Sequence, residues 1–392
     1  MIEKFLKAIF EKIYKFPPEV MSIAPGRINI IGEHTDYNLG YVLPAAIDMR
    51  VYFLASRRKD ESVFMRAENF REEENFVLKN ISVSKPKKWI NYIKGVLWAL
   101  QKEGSSLQGL NGLVWGDIPL EAGLSSSAAL EVSIINGLDE LFHLHLEPEK
   151  KAFLAQKAEN DFVGVKCGLM DQFISIFGQK NKALYLDCEN LRFDLIPLHL
   201  NKENIGFIAY DTRVRRRLSS SQYNQRRKES AEALVFLEGN GYRNFKEVGL
   251  ETLEKMRSRM KKVIFKRAKH VISENARVMK AVEALREDNF LLLKELLFLS
   301  HESLRDDYEV SCPELDLLYE TGKEFAGCLG ARLTGAGFGG SGIALLKKPR
   351  IAAFKKKLLE KAERNRFPRP EIYEIKFGEG ARVYSQVKED KR

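Results

Sequence analysis

The feature that most constrains how this chain can fold is a short strand, a glycine- and serine-rich turn and an apolar helix in direct succession. The strand is predicted over Leu113–Ile118 and the helix over Ala128–Phe142, with Gly123 and three serines, Ser125–Ser127, between them. The first amides of such a helix are unpaired and carry the positive end of its dipole, so they favour an anion. No G-x-x-x-x-G-K-[ST] run accompanies the turn, which separates it from the common P-loop. A plain serine N-cap would explain the turn equally well.

A second unusual segment lies upstream, where polar side chains are crowded between glycines. Glu33, His34, Asp36 and Asn38 fall within six residues, and Arg27 precedes them. Carboxylates accept hydrogen bonds from sugar hydroxyls, and a neutral imidazole can both donate and accept. A polar surface turn is the plainer interpretation of the same residues.

A third segment near the C-terminus is rich in glycine. Five glycines fall within residues 335–342, in the run Arg332–Gly342, and a strand follows at Ile343–Leu346. Such a run lets the backbone approach a ligand closely, but tight turns use the same residues.

Taken together, in this order and spacing, the three segments resemble the galactokinases of the GHMP small-molecule kinase superfamily. GEHTDYN at 32–38 is similar to the galactokinase signature, GLSSSAA at 123–129 to the phosphate loop, and the third segment to the C-terminal glycine motif. The stretches 89–95, 158–172 and 218–227 also resemble galactokinases, so the likeness covers most of the chain.

The resemblance implies a fold that the length of the chain also favours. At 392 residues, two domains are expected. The pattern of strands and helices indicates an α+β protein rather than a regular βαβ series. The resemblance implies a two-domain GHMP kinase fold, with a ribosomal-protein-S5-like N-terminal domain at residues 1–200 and a ferredoxin-like C-terminal domain at 201–392. The active site is expected between them.

The resemblance also implies a reaction and the residues that perform it. ATP would phosphorylate the C1 hydroxyl of D-galactose, with Mg²⁺ as cofactor and with Asp171 and Arg27 as the catalytic pair. Whether Asp171 removes the proton or only holds the hydroxyl stays open. The implied metal ligands are Ser127 and Glu159. The implied sugar contacts are Glu33, His34, Thr35, Asp36, Gly168 and Tyr223. The implied ATP contacts are Trp89, Glu121, Ala122, Gly123, Leu124, Ser125, Ser126 and Ser127.

Three other functions remain as alternatives. The first is a sister kinase acting on N-acetylgalactosamine or a uronic sugar, against which the intact GEHTDYN argues. The second is a non-catalytic galactose sensor, against which the complete Ser125–Ala129 argues. The third is nucleic-acid binding, suggested by a formal charge of +10 and by basic stretches at 213–228 and 257–269. No aromatic-interleaved or groove-reading motif accompanies that charge, so we expect no nucleic-acid partner.

Two positions depart from the family pattern without touching an expected catalytic residue. Arg216 and Arg217 stand where His-Ser is common, and Ser341 stands where Cys is common. Both departures bear on fine specificity.

The remaining expectations concern location and partners. The apolar stretches are far shorter than the roughly 20 residues that span a bilayer, and lysines interrupt the first helix. We therefore expect a cytoplasmic protein with no membrane contact, while protein partners remain open.

Overall fold

The computed structural model describes residues 2–85, 89–214 and 219–385. Arg216 and Arg217 lie outside the described residues. In chain order the strands are β1 Val20–Asn29, β2 Tyr41–Val42, β3 Pro44–Arg57, β4 Ser62–Ala67, β5 Glu72–Val77, β6 Leu110–Gly116, β7 Lys182–Asp187, β8 Phe193–Pro197, β9 Ile205–Asp211, β10 Cys328–Thr334, β11 Ser341–Lys347, β12 Glu371–Ile375 and β13 Arg382–Ser385.

The helices fall between and after these strands. They are α1 Ile2–Tyr14, α2 Trp89–Lys102, α3 Ser126–Phe142, α4 Pro148–Lys157, α5 Met170–Phe177, α6 Ser219–Glu238, α7 Leu250–Met256, α8 Lys262–Arg286, α9 Phe290–Asp306, α10 Pro313–Glu324 and α11 Ile351–Arg364. Within the described ranges, no helix is both long and apolar enough to cross a bilayer.

The strands form three sheets. The largest has the order β13-β1-β3-β6-β4-β5, and a four-stranded sheet has the order β10-β11-β9-β12. A small sheet, β2-β7-β8, completes the set. Neighbouring strands are antiparallel except β4 and β6, which run parallel. Strands and helices are therefore not arranged as a βαβ series, in agreement with the expected α+β class.

Strand β1 is the element on which the site is built. It spans ten residues, and all of them are buried. Helices α3 and α5 both pack against it. Its pairing with β3 shifts register between Pro25 and Arg27. Such a bulge re-aims a side chain, and here it marks the position of Arg27.

The two large sheets share one apolar core. Ile28 near the end of β1 and Ile30 just beyond it belong to the same buried cluster as Phe207 of β9 and Ile343 of β11. The chain also returns to the first sheet at its end, because β13 pairs with β1 from Val20↔Ser385 to Ile23↔Arg382. A domain division at residue 200 stays a prediction, and the last strand lies across it.

Helix α4 changes character where it reaches the site. It ends at Lys157, and a π-helical turn follows at Ala158–Val163. Such wide turns are frequent at functional sites. This turn carries Glu159.

Candidate active site

A cavity of about 330 Å³ opens between the loop after β1 and the start of α5. Five of the predicted sugar contacts line it, namely Glu33, His34, Asp36, Gly168 and Tyr223. Arg27, Asp171 and Glu159 line it as well. The structure thus brings together predicted site residues that are up to 196 positions apart, from Arg27 to Tyr223.

The loop after β1 is held in shape by its own side chains. His34 takes a left-handed backbone conformation (φ 62°), and the Asn38 amide donates to the His34 carbonyl at 2.7 Å. His34 Nδ1 lies 2.8 Å from the Tyr37 hydroxyl. Its Nε2 is buried and makes no hydrogen bond of ordinary geometry to the described residues. Burial, with the nearby His270, lowers the pKa of His34 to about 3, so the ring is neutral at physiological pH.

Thr35 does not belong to this cavity, contrary to the prediction. Its side chain is fully buried, and its hydroxyl lies 2.8 Å from the Gly32 carbonyl and 2.7 Å from the Tyr41 carbonyl. These contacts hold the two ends of the loop, at Gly32 and Tyr41, close together. Its role is to shape the turn that presents His34 and Asp36.

Gly168 and Asp36 face each other across the cavity wall. A Cβ built on Gly168 would overlap Asp36 Oδ2, so only glycine leaves room for that carboxylate. Burial raises the pKa of Asp36 to about 6, and the nearby Asp171 adds to the shift. The role of Gly168 is therefore the space that it leaves.

An aromatic cluster that the sequence did not reveal closes the other side. The Tyr37 and Tyr308 hydroxyls lie 2.9 Å apart, and Tyr223 packs against His34 and Tyr37 at ring distances of 5.7 and 5.6 Å. Tyr308 was unremarkable in the sequence because no motif surrounds it. It lies just after α9 ends at Asp306, and the tertiary fold brings it to the loop.

A second cavity, of about 600 Å³, lies beside the first. The loop before α3 contributes Glu121, Gly123 and Ser125–Ser127 to its wall. The facing wall is the run 334–341, which links β10 to β11 and has positive φ at Gly335, Gly337, Phe338, Gly339 and Gly340. This glycine run was noticed in the sequence, but no binding residues were assigned to it.

Three predicted ATP contacts do not line this second cavity. Ala122 and Leu124 are buried in the core, and their carbonyls accept hydrogen bonds from the Ser341 hydroxyl and the Arg27 amide, respectively. Trp89 packs on another core cluster and donates from its indole to Glu72 at 2.8 Å. The aromatic residue of α2 that reaches the cavity wall is Tyr92.

Arg27 and Asp171 lie where the two cavities meet and line both of them. Arg27 binds Asp171 in a bidentate manner, from Nε to Oδ1 at 2.7 Å and from Nη2 to Oδ2 at 2.6 Å. Its Nη1 donates to the Gly123 carbonyl at 2.7 Å. The Ser125 hydroxyl also donates to Asp171 Oδ2. Charge-assisted bonds of this kind fix position as well as charge.

Buried carboxylates surround the predicted metal ligands. Burial raises the pKa of Glu159, partly offset by bonds from the Cys167 thiol and the Ser127 hydroxyl. The Gln172 amide nitrogen lies 2.9 Å from Glu159 Oε2 and 3.1 Å from Glu131 Oε2. A divalent cation would relieve this concentration of acidic groups, so the residues fit Mg²⁺.

The same residues could not hold the ion alone. In the part of the chain that the structure describes, no three His, Cys, Asp or Glu side chains are arranged as a metal site. Mg²⁺ is commonly bound by one or two protein oxygens together with substrate phosphates and water. The arrangement matches that mode.

Comparison with known proteins agrees with this geometry. Three family descriptions match: "Galactokinase galactose-binding signature" at residues 8–57, "GHMP kinases N terminal domain" at 91–179 and "GHMP kinases C terminal" at 281–364. Galactokinase of Pyrococcus furiosus is 43% identical over 83% of this chain and 88% of its own length. The chain belongs to the galactokinase family of GHMP kinases.

Two further members of the galactokinase family extend the likeness to nearly the whole chain. Galactokinase of Staphylococcus carnosus is 39% identical, covering 96% of this chain and 98% of its own. The crystal structure of Lactococcus lactis galactokinase complexed with galactose superposes with a TM-score of 0.92 at 37% identity, covering 97% and 100% of the two chains. The predicted α+β GHMP kinase fold and the assignment as an ATP-dependent sugar kinase, a galactokinase, are confirmed.

Proposed function

We propose that this chain transfers the γ-phosphoryl group of ATP to the C1 hydroxyl of D-galactose, giving galactose 1-phosphate and ADP. The observation that carries this proposal is that Arg27 and Asp171 line both cavities. A sugar in the smaller cavity and a triphosphate in the larger one would meet at these two side chains.

Asp171 is the group best placed to receive the sugar hydroxyl. Two bonds from Arg27 fix its carboxylate, which faces the smaller cavity. The C1 hydroxyl would donate a hydrogen bond to Asp171. The hydroxyl oxygen would then form a bond to the γ-phosphorus while the bond from that phosphorus to the bridging β-phosphate oxygen breaks. Phosphoryl transfer has a loose transition state, so holding the oxygen in line supplies much of the rate enhancement.

Arg27 would stabilise the negative charge that develops on the transferred phosphoryl group. Its guanidinium is almost fully buried, with 6% of the side chain exposed, and it contacts the phosphate loop through Gly123. A fixed positive group in a site of low dielectric stabilises a developing negative charge more strongly than it would in water. Arg27 therefore both positions Asp171 and offsets charge on the transferred group.

The loop before α3 is suited to the phosphates. Ser125 has positive φ (61°), and α3 begins at the next residue, so the first amides of α3 face the larger cavity. Mg²⁺ would be held by Ser127 and Glu159 and would neutralise phosphate charge. The family descriptions imply ATP, and the donor set described above supports the metal.

The sugar contacts would come from Glu33, His34, Asp36 and Tyr223. The neutral His34 ring can bond one hydroxyl, and the Asp36 carboxylate can accept from others. A site built on such pairs rejects an analogue that lacks a hydroxyl, because its own polar groups are left unpaired.

A sugar panel tests the proposal. Purified protein is mixed with ATP, Mg²⁺ and D-galactose, N-acetylgalactosamine or galacturonic acid, and ADP release is followed. We expect the fastest release with galactose and, by NMR, a phosphate on C1. Faster release with another sugar, or phosphate on another carbon, would overturn the proposal.

A further inference from the structure

Glu33 is the residue from which a further inference starts, because it lines the smaller cavity and bonds to residues that line the larger one. It lines the smaller cavity, yet only 2% of the residue is exposed. Its Oε1 accepts from the Thr334 hydroxyl and from the Gly335 amide, each at 3.0 Å. Gly335 lines both cavities. One carboxylate therefore joins the loop after β1 to the glycine run.

A buried arginine holds that carboxylate from the other side. Arg332 of β10 is fully buried and forms an ion pair with Glu33. Its Nη1 donates to the Ile30 carbonyl at 3.0 Å, beyond the end of β1. Because Arg332 and Gly335 are three residues apart, the strand that grips Glu33 continues directly into the glycine run.

A second carboxylate completes the arrangement. Glu274 of α8 is also fully buried and lies 3.7 Å from Arg332 Nη2. Its Oε1 accepts from the Gly32 amide at 3.0 Å and from the Ser300 hydroxyl at 2.6 Å. Burial would raise its pKa, but Arg277 and Arg332 reverse the effect and lower it to about 2. Glu274 is thus a fixed negative charge beside Arg332.

Glu33, Arg332 and Glu274, here named the buried triad, form a continuous polar connection between the two loops. We propose that the buried triad couples the cavities, so that a sugar in one and a nucleotide in the other raise each other's affinity. Arg332 is a positioning residue in this scheme, since it lines neither cavity.

The coupling follows from shared atoms. A ligand that fixes Glu33 also fixes the acceptor of the Gly335 amide, and a ligand that fixes the glycine run also fixes the donors to Glu33. Coupling of this kind must be reciprocal, and factors of about 5 to 150 in affinity are typical. The inference rests on the proposed function for the identity of the two ligands.

Isothermal titration calorimetry provides the test. The dissociation constant for galactose is measured with and without a non-hydrolysable ATP analogue and Mg²⁺. For the wild type we expect at least about fivefold tighter binding with the analogue. For Arg332→Lys, which cannot make the forked contact with Glu33 and Ile30, we expect the ratio to fall to within about twofold of one.

Two further variants keep the result interpretable. Glu274→Gln preserves the shape of the side chain and removes the charge next to Arg332, so it too should reduce the ratio of galactose affinities. It therefore provides the test if Arg332→Lys does not fold. Lys151→Met breaks an ion pair with Asp139 (2.7 Å, both side chains 15% exposed) that lines neither cavity, and it should leave the ratio unchanged. Unfolding temperatures of all proteins separate lost stability from lost coupling.

A wild-type ratio of one, or an unchanged ratio in both triad variants, would overturn the inference. The sugar panel distinguishes its failure from that of the proposed function. Turnover of galactose without coupling refutes only the coupling, whereas coupled binding without galactose 1-phosphate refutes only the reaction.

Discussion

Replacing Asp171 with asparagine separates two contributions that this carboxylate makes. Asparagine keeps the shape of the side chain and one acceptor oxygen. Its amide nitrogen, however, would face two donors that now bond to Asp171 Oδ2, namely Arg27 Nη2 at 2.6 Å and the Ser125 hydroxyl. Losing one charge-assisted bond costs about 1.5–3 kcal/mol, or roughly 10- to 150-fold in rate at 1.36 kcal/mol per tenfold. Losing a positioned acid–base group costs about 10²- to 10⁴-fold.

These ranges make the outcome informative. We expect kcat for galactose to fall at least about 100-fold in Asp171→Asn, with a much smaller change in KM, because the carboxylate acts mainly in the transition state. The measurement is a coupled assay of ADP release at saturating ATP and galactose. A loss near 10⁴-fold would exceed what one lost Arg27 contact can explain and would identify proton transfer.

A matched control guards against a general effect of removing a charge. Asp139 is paired with Lys151 at 2.7 Å and lines neither cavity, so Asp139→Asn should leave kcat unchanged. A folded Asp171→Asn protein that retains kcat within tenfold of the wild type would refute the role assigned to Asp171.

Three further predictions concern the sugar and the metal. Gly168→Ala should raise KM for galactose by about 100-fold or more, because the added Cβ displaces the Asp36 carboxylate and small misplacements are costly. The control is Gly249→Ala, where an added Cβ meets no atom within 4 Å. An unchanged KM in Gly168→Ala would contradict the role assigned to the space beside Gly168. Galactose affinity should fall as pH decreases through about 6, because the pKa of Asp36 is raised to about 6 and the protonated carboxyl is a poorer hydrogen-bond acceptor. Calorimetry between about pH 5 and 8 should find this step in the wild type and no such step in Asp36→Asn. Glu159→Gln should raise the Mg²⁺ concentration for half-maximal activity at least about tenfold, and an unchanged Mg²⁺ titration would remove Glu159 from the metal site.

Local patterns made much of the site predictable. The serine turn and the apolar helix α3 that follows it are predicted by turn chemistry, helix capping and hydrophobic pattern, all of which depend on adjacent residues. Arg27, Asp171 and Glu159 were assigned from the family resemblance, and the fold brings them together. Their catalytic and metal-binding roles remain proposals.

What could not be predicted depends on contacts between distant residues. Thr35 stands inside the sugar signature, yet its hydroxyl bonds to backbone carbonyls, and nothing in the signature distinguishes a residue that shapes a loop from one that touches a ligand. Arg332 begins the glycine-rich run, but no role follows from its position there, and its partner Glu33 is 299 positions away. Tyr308 likewise reaches the loop after β1 only through tertiary packing, from the segment that follows α9.

The pairing of β13 with β1 has a consequence for the order of assembly. During synthesis, the strand that bears Arg27 is made before its outer neighbour, residues 382–385, has been added. Until then the outer backbone groups of residues 20–23 are open to other chains, as edge strands generally are. A nascent polypeptide, or one cleaved before residue 382, would thus expose an aggregation-prone strand edge close to its phosphotransfer centre. In the folded protein β13 covers that edge.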